Sequence, residues 1–174
     1  MKSSMDEKVA LEHEAARIFM RLYQQKFAIK MQHIWHNLPA KPDVSCYLAE
    51  QRLDLEIAHL YGSEAEAMKI LGRELKGGTL EALQSLEQVE LAGRLLQALN
   101  KLIHNKAQKS YDSDRVWLVI RNAHPDWHAE DLACTPQLLQ IPASHPFEQI
   151  WLVADMTGQA GLVQLYPPRL AFTS

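Results

Sequence analysis

Two acidic residues stand where they can work together. Asp43 follows Pro42 and opens the run Val44-Ser45-Cys46-Tyr47-Leu48; Glu56 sits inside Leu53-Asp54-Leu55-Glu56-Ile57-Ala58-His59-Leu60. The two runs, separated by the polar segment Ala49-Glu50-Gln51-Arg52, read as a β-hairpin. Antiparallel pairing across that four-residue turn brings the two arms together. In the second run Leu53, Leu55 and Ile57 point to one face, and Asp54, Glu56 and Ala58 to the other. Two facing carboxylates repel unless a cation neutralises them. Oxygen donors of this kind suit Mg²⁺ or Mn²⁺, which take one or two carboxylates together with water and substrate phosphates. A capping aspartate and a solvated glutamate are the plain alternative.

Other reactive side chains give weaker signals. The spacings His33-x-x-His36 and His124-x-x-x-His128 fit a metal only on a helix, and neither comes with a cysteine pair or an HExxH glutamate. His59 alternates onto the leucine face and should pack there. No GxxxxGK[ST], GxGxxG or GxSxG segment occurs. Cys46 and Cys134 have neither metal-ligand spacing nor a disulfide framework, which fits a reduced, cytoplasmic setting. Trp117 and Trp151 read as core residues, Trp35 and Trp127 as surface stacking platforms.

The elements that must carry these residues follow from periodicity. Leu11, Ala15, Ile18 and Leu22 recur at helical spacing, predicting an amphipathic helix over 6–25. Phe27, Ile29 and Met31 alternate with polar neighbours. That favours a strand near 27–35 over a helix running on to Asn37. Ser63-Glu64-Ala65-Glu66 is a capping-box pattern, predicting a helix that stops before Gly77-Gly78. A second helix after Thr79 carries Leu91, Leu95, Leu99 and Leu102, with Lys106 on the same stripe, and ends before Tyr111. Val116–Ile120 and Ile150–Ala154 read as strands buried on both faces, and Leu162–Tyr166 as a partner strand after a glycine-containing turn. Six of the eight prolines lie between Pro125 and Pro168, so 122–149 should be mostly loop.

The 174 residues suit one domain, 1–174, with an ample core. Apolar residues at 47% and charged residues at 22% exclude wholesale disorder, and no run approaches the ~18 apolar residues of a membrane span. The net charge of −3 argues against a general nucleic-acid coat protein but leaves room for a local basic cleft, for which Arg17, Arg21, Lys26, Lys30 and Lys41 gather. The pattern predicts a three-layer α/β fold with a mixed sheet.

The string Pro42-Asp43, strand, Leu53-Asp54-Leu55-Glu56-Ile57-Ala58 resembles the core motif of the PD-(D/E)xK nuclease superfamily. The resemblance implies a restriction-endonuclease-like core, α-β-β-β-α-β, over 6–120. Residues 121–174 would then be an extension with one or two added strands. It implies Mg²⁺- or Mn²⁺-dependent hydrolysis of nucleic-acid phosphodiesters, with Asp43 and Glu56 as catalytic metal ligands and a glutamate of the first helix, Glu12 or Glu14, as a further ligand. It allows a homodimer. The motif lysine expected two residues after Glu56 is Ala58. The superfamily can carry that lysine on the following helix, where Lys106 is the candidate and Lys101 and Lys109 are the runners-up. Asp54 is a candidate second ligand. Two alternatives stand beside this reading. One is a catalytically degenerate member serving as a binding or assembly module. The other is an unrelated α/β interaction protein, with a different strand order, whose C-terminal strands pair with a partner.

Overall fold

In the computed structural model, residues 4–37, 42–61, 77–78, 91–125, 127 and 139–167 are described. Their elements are α1 (Ser4–Phe27), β1 (Met31–His36), β2 (Val44–Leu48), β3 (Gln51–Leu60), α2 (Leu91–Ala107), β4 (Val116–Asn122), β5 (Gln149–Val153) and β6 (Leu162–Tyr166). The strands form one six-stranded mixed sheet in the order β1-β2-β3-β4-β5-β6. The first three form an antiparallel meander; β3, β4 and β5 are parallel, and β6 returns antiparallel. The chain is therefore a mixed α/β protein with a three-layer core.

Side-chain alternation sorts the sheet into two apolar faces. Val44, Cys46, Leu53, Leu55, Ile57, Trp117, Val119 and Trp151 pack beneath α1 with Ala15, Ala16, Phe19, Met20 and Tyr23. Ala58, Leu60, Leu118, Ile120, Ile150 and Leu152 pack against Leu95, Leu99 and Ile103 of α2. The central strand β4 is buried at all seven positions, as a continuous apolar run sandwiched between two helices must be.

Several expected boundaries move. The first helix runs to Phe27, two residues beyond 25. Ala28 then takes a left-handed conformation (φ 55°), and its N–H donates to the Gln24 carbonyl (2.9 Å), closing the last turn. Phe27 belongs to the helix, where it packs on Tyr23 (4.6 Å between rings), so the period-two pattern in 27–31 overran the helix end. The buried stripe of α1 is Ala15, Ala16, Phe19, Met20 and Tyr23. Ile18 and Leu22 lie only on its flank.

The hairpin turn between β2 and β3 is the two residues Ala49-Glu50, not four, because Gln51 and Arg52 already pair with Leu48 and Tyr47. Gly77 and Gly78 are themselves helical, so the pair does not break the chain there; glycine costs a helix only about 1 kcal/mol per residue. The capping box at 63–66 lies outside the described residues. Both C-terminal strands lie within the sheet, β5 paired on both sides and β6 on β5.

Candidate functional site

The hairpin register decides which residue Asp43 meets. The ladder pairs Val44 with Leu55 and Ser45 with Asp54, so the next step brings Asp43 opposite Glu56. A four-residue turn would have slid the strands by two and put Asp43 opposite Ala58 instead. Beyond Val44, β2 leaves β3. The Asp43 carboxylate takes over the abandoned edge, accepting the Ile57 N–H at 3.0 Å.

Glu56 faces the α2 side and is completely buried. Its Oε2 accepts from the Lys106 ammonium at 3.2 Å and from the Tyr111 hydroxyl at 2.9 Å. Lys106 comes from the last turn of α2, on the same stripe as Leu99 and Ile103, and its side chain is 20% exposed. The structure thus brings Lys106 to Glu56 and does the same for neither runner-up. Lys101 is exposed on α2, and Lys109 follows the helix, its backbone N–H bonded to the Lys106 carbonyl. Tyr111 has no counterpart in the motif. Its only sequence signal is its place just after the helix that carries Lys106.

Glu56 Oε1 is buried with no hydrogen-bond donor. The Asp43 carboxyl stands beside it, and two carboxylates can be bonded only if they share a proton. The directions in which their surroundings push the two groups assign that proton to Asp43, which would then donate to Glu56 Oε1. Burial, the hydrogen bond to Glu56 and the Glu56 charge push the Asp43 carboxyl up to about 7, against the pull of the Ile57 N–H. Burial also pushes Glu56 up, but the hydrogen bond with Asp43, the Lys106 ammonium and the Tyr111 hydroxyl outweigh it and hold Glu56 below its ordinary value. The pair is an acid and a base in one site, set apart by their surroundings.

The first helix supplies Glu12 and withholds Glu14. Glu12 falls on the buried stripe with Ala15, Ala16 and Phe19, is 5% exposed, and its charge reaches Asp43. His36 Nε2 is hydrogen-bonded to it at 2.9 Å, and the buried His36 Nδ1 has no partner. Glu14 turns out of the site and is 58% exposed, paired with Arg121 at 2.9 Å. Glu12, Leu11, Ile57, Ala58, Leu102 and Lys106 are among the residues lining a cleft of about 590 Å³, which lies between α1 and α2 across the free end of β3.

The remaining candidates are structural. Asp54 is buried and accepts from Ser45, Ser113 and Arg52, so it is already saturated. His59 packs on the α1 face as expected and accepts from Arg121 at 3.1 Å; burial and the Arg121 charge lower it to about 4. His36 lies on a strand, not a helix, and pairs with Glu12. His124 stacks on Trp127, and His128 lies outside the described residues. Trp127 is buried rather than a surface platform, because Asn122 ties its carbonyl to the end of β4. Trp35 is exposed, with its ring 5.7 Å from that of Tyr47 in a tilted contact. Burial pushes the Cys46 thiol up to about 12, which leaves it inert.

No protein-family model, curated protein or solved structure matches this chain.

The donor set also bears on a divalent cation. No group of three or more His, Cys, Asp or Glu side chains among the described residues is placed to hold a metal ion. Asp43 with the orphaned Glu56 Oε1 nevertheless fits a hard cation that completes its shell with water and phosphate oxygens. No helix among the described residues is long and apolar enough to cross a membrane.

Proposed function

We propose that this chain is a PD-(D/E)xK-like, Mg²⁺- or Mn²⁺-dependent phosphodiesterase acting on nucleic acid. One observation carries the reading. Two opposed carboxylates, Asp43 and Glu56, sit where β2 and β3 part, and Lys106 reaches Glu56 from the next helix, supplying the ammonium that Ala58 lacks. Asp43 and Glu56 Oε1 would hold the cation, with Glu12 close enough to act on the same charge. When bound, such an ion polarises a phosphate and lowers the pKa of water.

The chain's own residues do the rest. Lys106 and Tyr111 fix Glu56 through Oε2 and so aim Oε1 at Asp43. Asp43 gives up its shared proton on cation binding. Lys106 lines the cleft between the helices and offers positive charge to a phosphate lodged there.

A second reading, a degenerate member acting as a binding module, is favoured by a different observation: the Lys106 ammonium is already committed to Glu56. Plasmid nicking separates the two. With Mn²⁺ at neutral pH, wild type is expected to nick, Glu56→Ala to be inactive, and Lys106→Met to lose roughly 10²–10³-fold, as for loss of an electrostatic donor. Equal cleavage by wild type and Glu56→Ala would overturn the catalytic assignment. Cation binding without cleavage would favour the module.

A further inference from the structure

A second groove begins one residue beyond the Glu12–His36 pair. It runs between α1 and β1 and has a volume of about 580 Å³. Met20 and Met31, both nearly buried, make its apolar floor, and His13, Arg17, Arg21, Gln24 and Gln25 make its polar walls. Glu12 meets the far end of β1 at His36, whereas Met20 to Gln25 meet its start at Met31, so helix and strand run antiparallel along the groove. From His13 to Gln24 the helix rises ~16 Å. Its end at His13 adjoins Glu12, which lines the cleft beside the carboxylate site.

Its charge is one-sided. In a chain of net charge −3, no carboxylate among the described residues lines it. Glu12 is paired with His36; Glu14 is paired with Arg121 and lines the adjoining cavity on the other side of His13, Arg17 and Arg21. Arg17 and Arg21 are both exposed and stand one helical turn apart. Arg21 spends one N–H on the Thr157 carbonyl (3.1 Å) and keeps others to donate. The outer edge of β1 has no strand partner among the described residues.

We propose that this groove binds the sugar–phosphate backbone of a nucleic-acid strand and leads it to the Asp43–Glu56 site. The proposal deepens the function proposed above and rests on it for the strand's destination. Two arginines, a histidine and two carboxamides without an acid among them suit a chain of phosphates, and the methionine floor suits the apolar faces of sugars.

The test is fluorescence anisotropy of the full chain with short labelled single strands, DNA and RNA of matched sequence, in EDTA so that no cleavage or cation bridging contributes. Binding should weaken from about 50 to 200 mM salt. Arg17→Ala with Arg21→Ala should weaken it at least about tenfold and flatten the logarithmic salt slope by about 1.4, since each lost single-strand phosphate contact removes about 0.7. Gln24→Glu, which puts an acid in the groove, should also weaken it, whereas Lys101→Ala, an exposed cation on α2, should not. Unchanged melting of the variants shows that the fold is kept.

Undiminished binding by the double variant, or no binding of either strand by wild type, overturns the proposal. The DNA and RNA arms show which backbone is preferred. Asp43→Asn should bind strands as wild type does while failing to nick plasmid. Binding that survives in a protein that never cleaves would sink the catalytic reading and leave the groove standing. Cleavage with binding indifferent to Arg17 and Arg21 would do the reverse.

Discussion

Lys106 and Tyr111 make Glu56 tolerable. A buried carboxylate is costly unless its charge is met, and here an ammonium and a hydroxyl meet one oxygen. Lys106→Met should therefore lower stability by roughly 3 kcal/mol, the low end for breaking a buried pair because Tyr111 still donates; urea denaturation measures it. Asp43 supplies a pH signature. Its folded value of about 7 lies above the ordinary 3.8, so the folded chain holds this proton more tightly than the unfolded chain does. That advantage is complete at acid pH and is lost as pH rises from about 4 through 7. His59 works the other way: its value of about 4 is below the ordinary 6.5, so its contribution grows as pH rises from about 4 to 6.5 and is then complete. Above pH 6.5 the Asp43 effect should dominate. In EDTA the wild-type urea midpoint should fall between pH 6.5 and 8. Asp43→Asn should not fall, because its carboxamide accepts from Ile57 N–H and donates to Glu56 Oε1 at every pH. A wild-type curve parallel to that of the variant would remove the shared proton from the account.

At the scale of elements, α1 is held over the sheet by contacts that allow little adjustment. Arg121 is fully buried at the end of β4 and reaches Glu14, His59 and the carbonyls of Leu11 and Met156. Gly158, in the turn between β5 and β6, has φ +83°, and a Cβ there would lie 2.6 Å from the Ile18 side chain of α1. Gly158→Ala should cost about 1–3 kcal/mol, through both the left-handed backbone and the clash, visible as a lower thermal midpoint; an unchanged midpoint would mean that α1 can shift on the sheet. The elements with long, consistent patterns were legible in the sequence. The stripe Leu91, Leu95, Leu99 and Leu102 declared α2, and the run Val116–Ile120 declared a two-sided strand. What misled was local. A two-residue alternation spanned the end of α1, and four polar residues looked like a turn of which two belong to β3. The helix-1 ligand could not be chosen because the stripe through Ala15, Ala16 and Phe19 competes with one through Leu11, Ala15, Ile18 and Leu22, and only packing on the sheet picks between them.

Across the whole molecule, the order of elements and the sheet topology bring Asp43, Glu56, Lys106, Tyr111 and Glu12 to the parting of β2 and β3. The topology follows from short antiparallel turns, then a crossover carrying α2 that returns the chain parallel. The meeting of Asp43, Glu56 and Lys106 was anticipated from the hairpin, the α2 stripe and the resemblance to the PD-(D/E)xK motif together. Tyr111 and His36 were not, since a loop hydroxyl and an edge-strand imidazole leave no periodic trace. On the function proposed above, the site is an acid–base pair without a cation and would be a two-carboxylate grip with one, the two states competing for the same Glu56 oxygen. The direct test is a Mn²⁺ titration followed by electron paramagnetic resonance at pH 8, wild type beside Asp43→Asn. The account predicts a bound Mn²⁺ in the wild type and none at that site in the variant, though both are folded. Equal Mn²⁺ binding by the two proteins, or none by either, would contradict it.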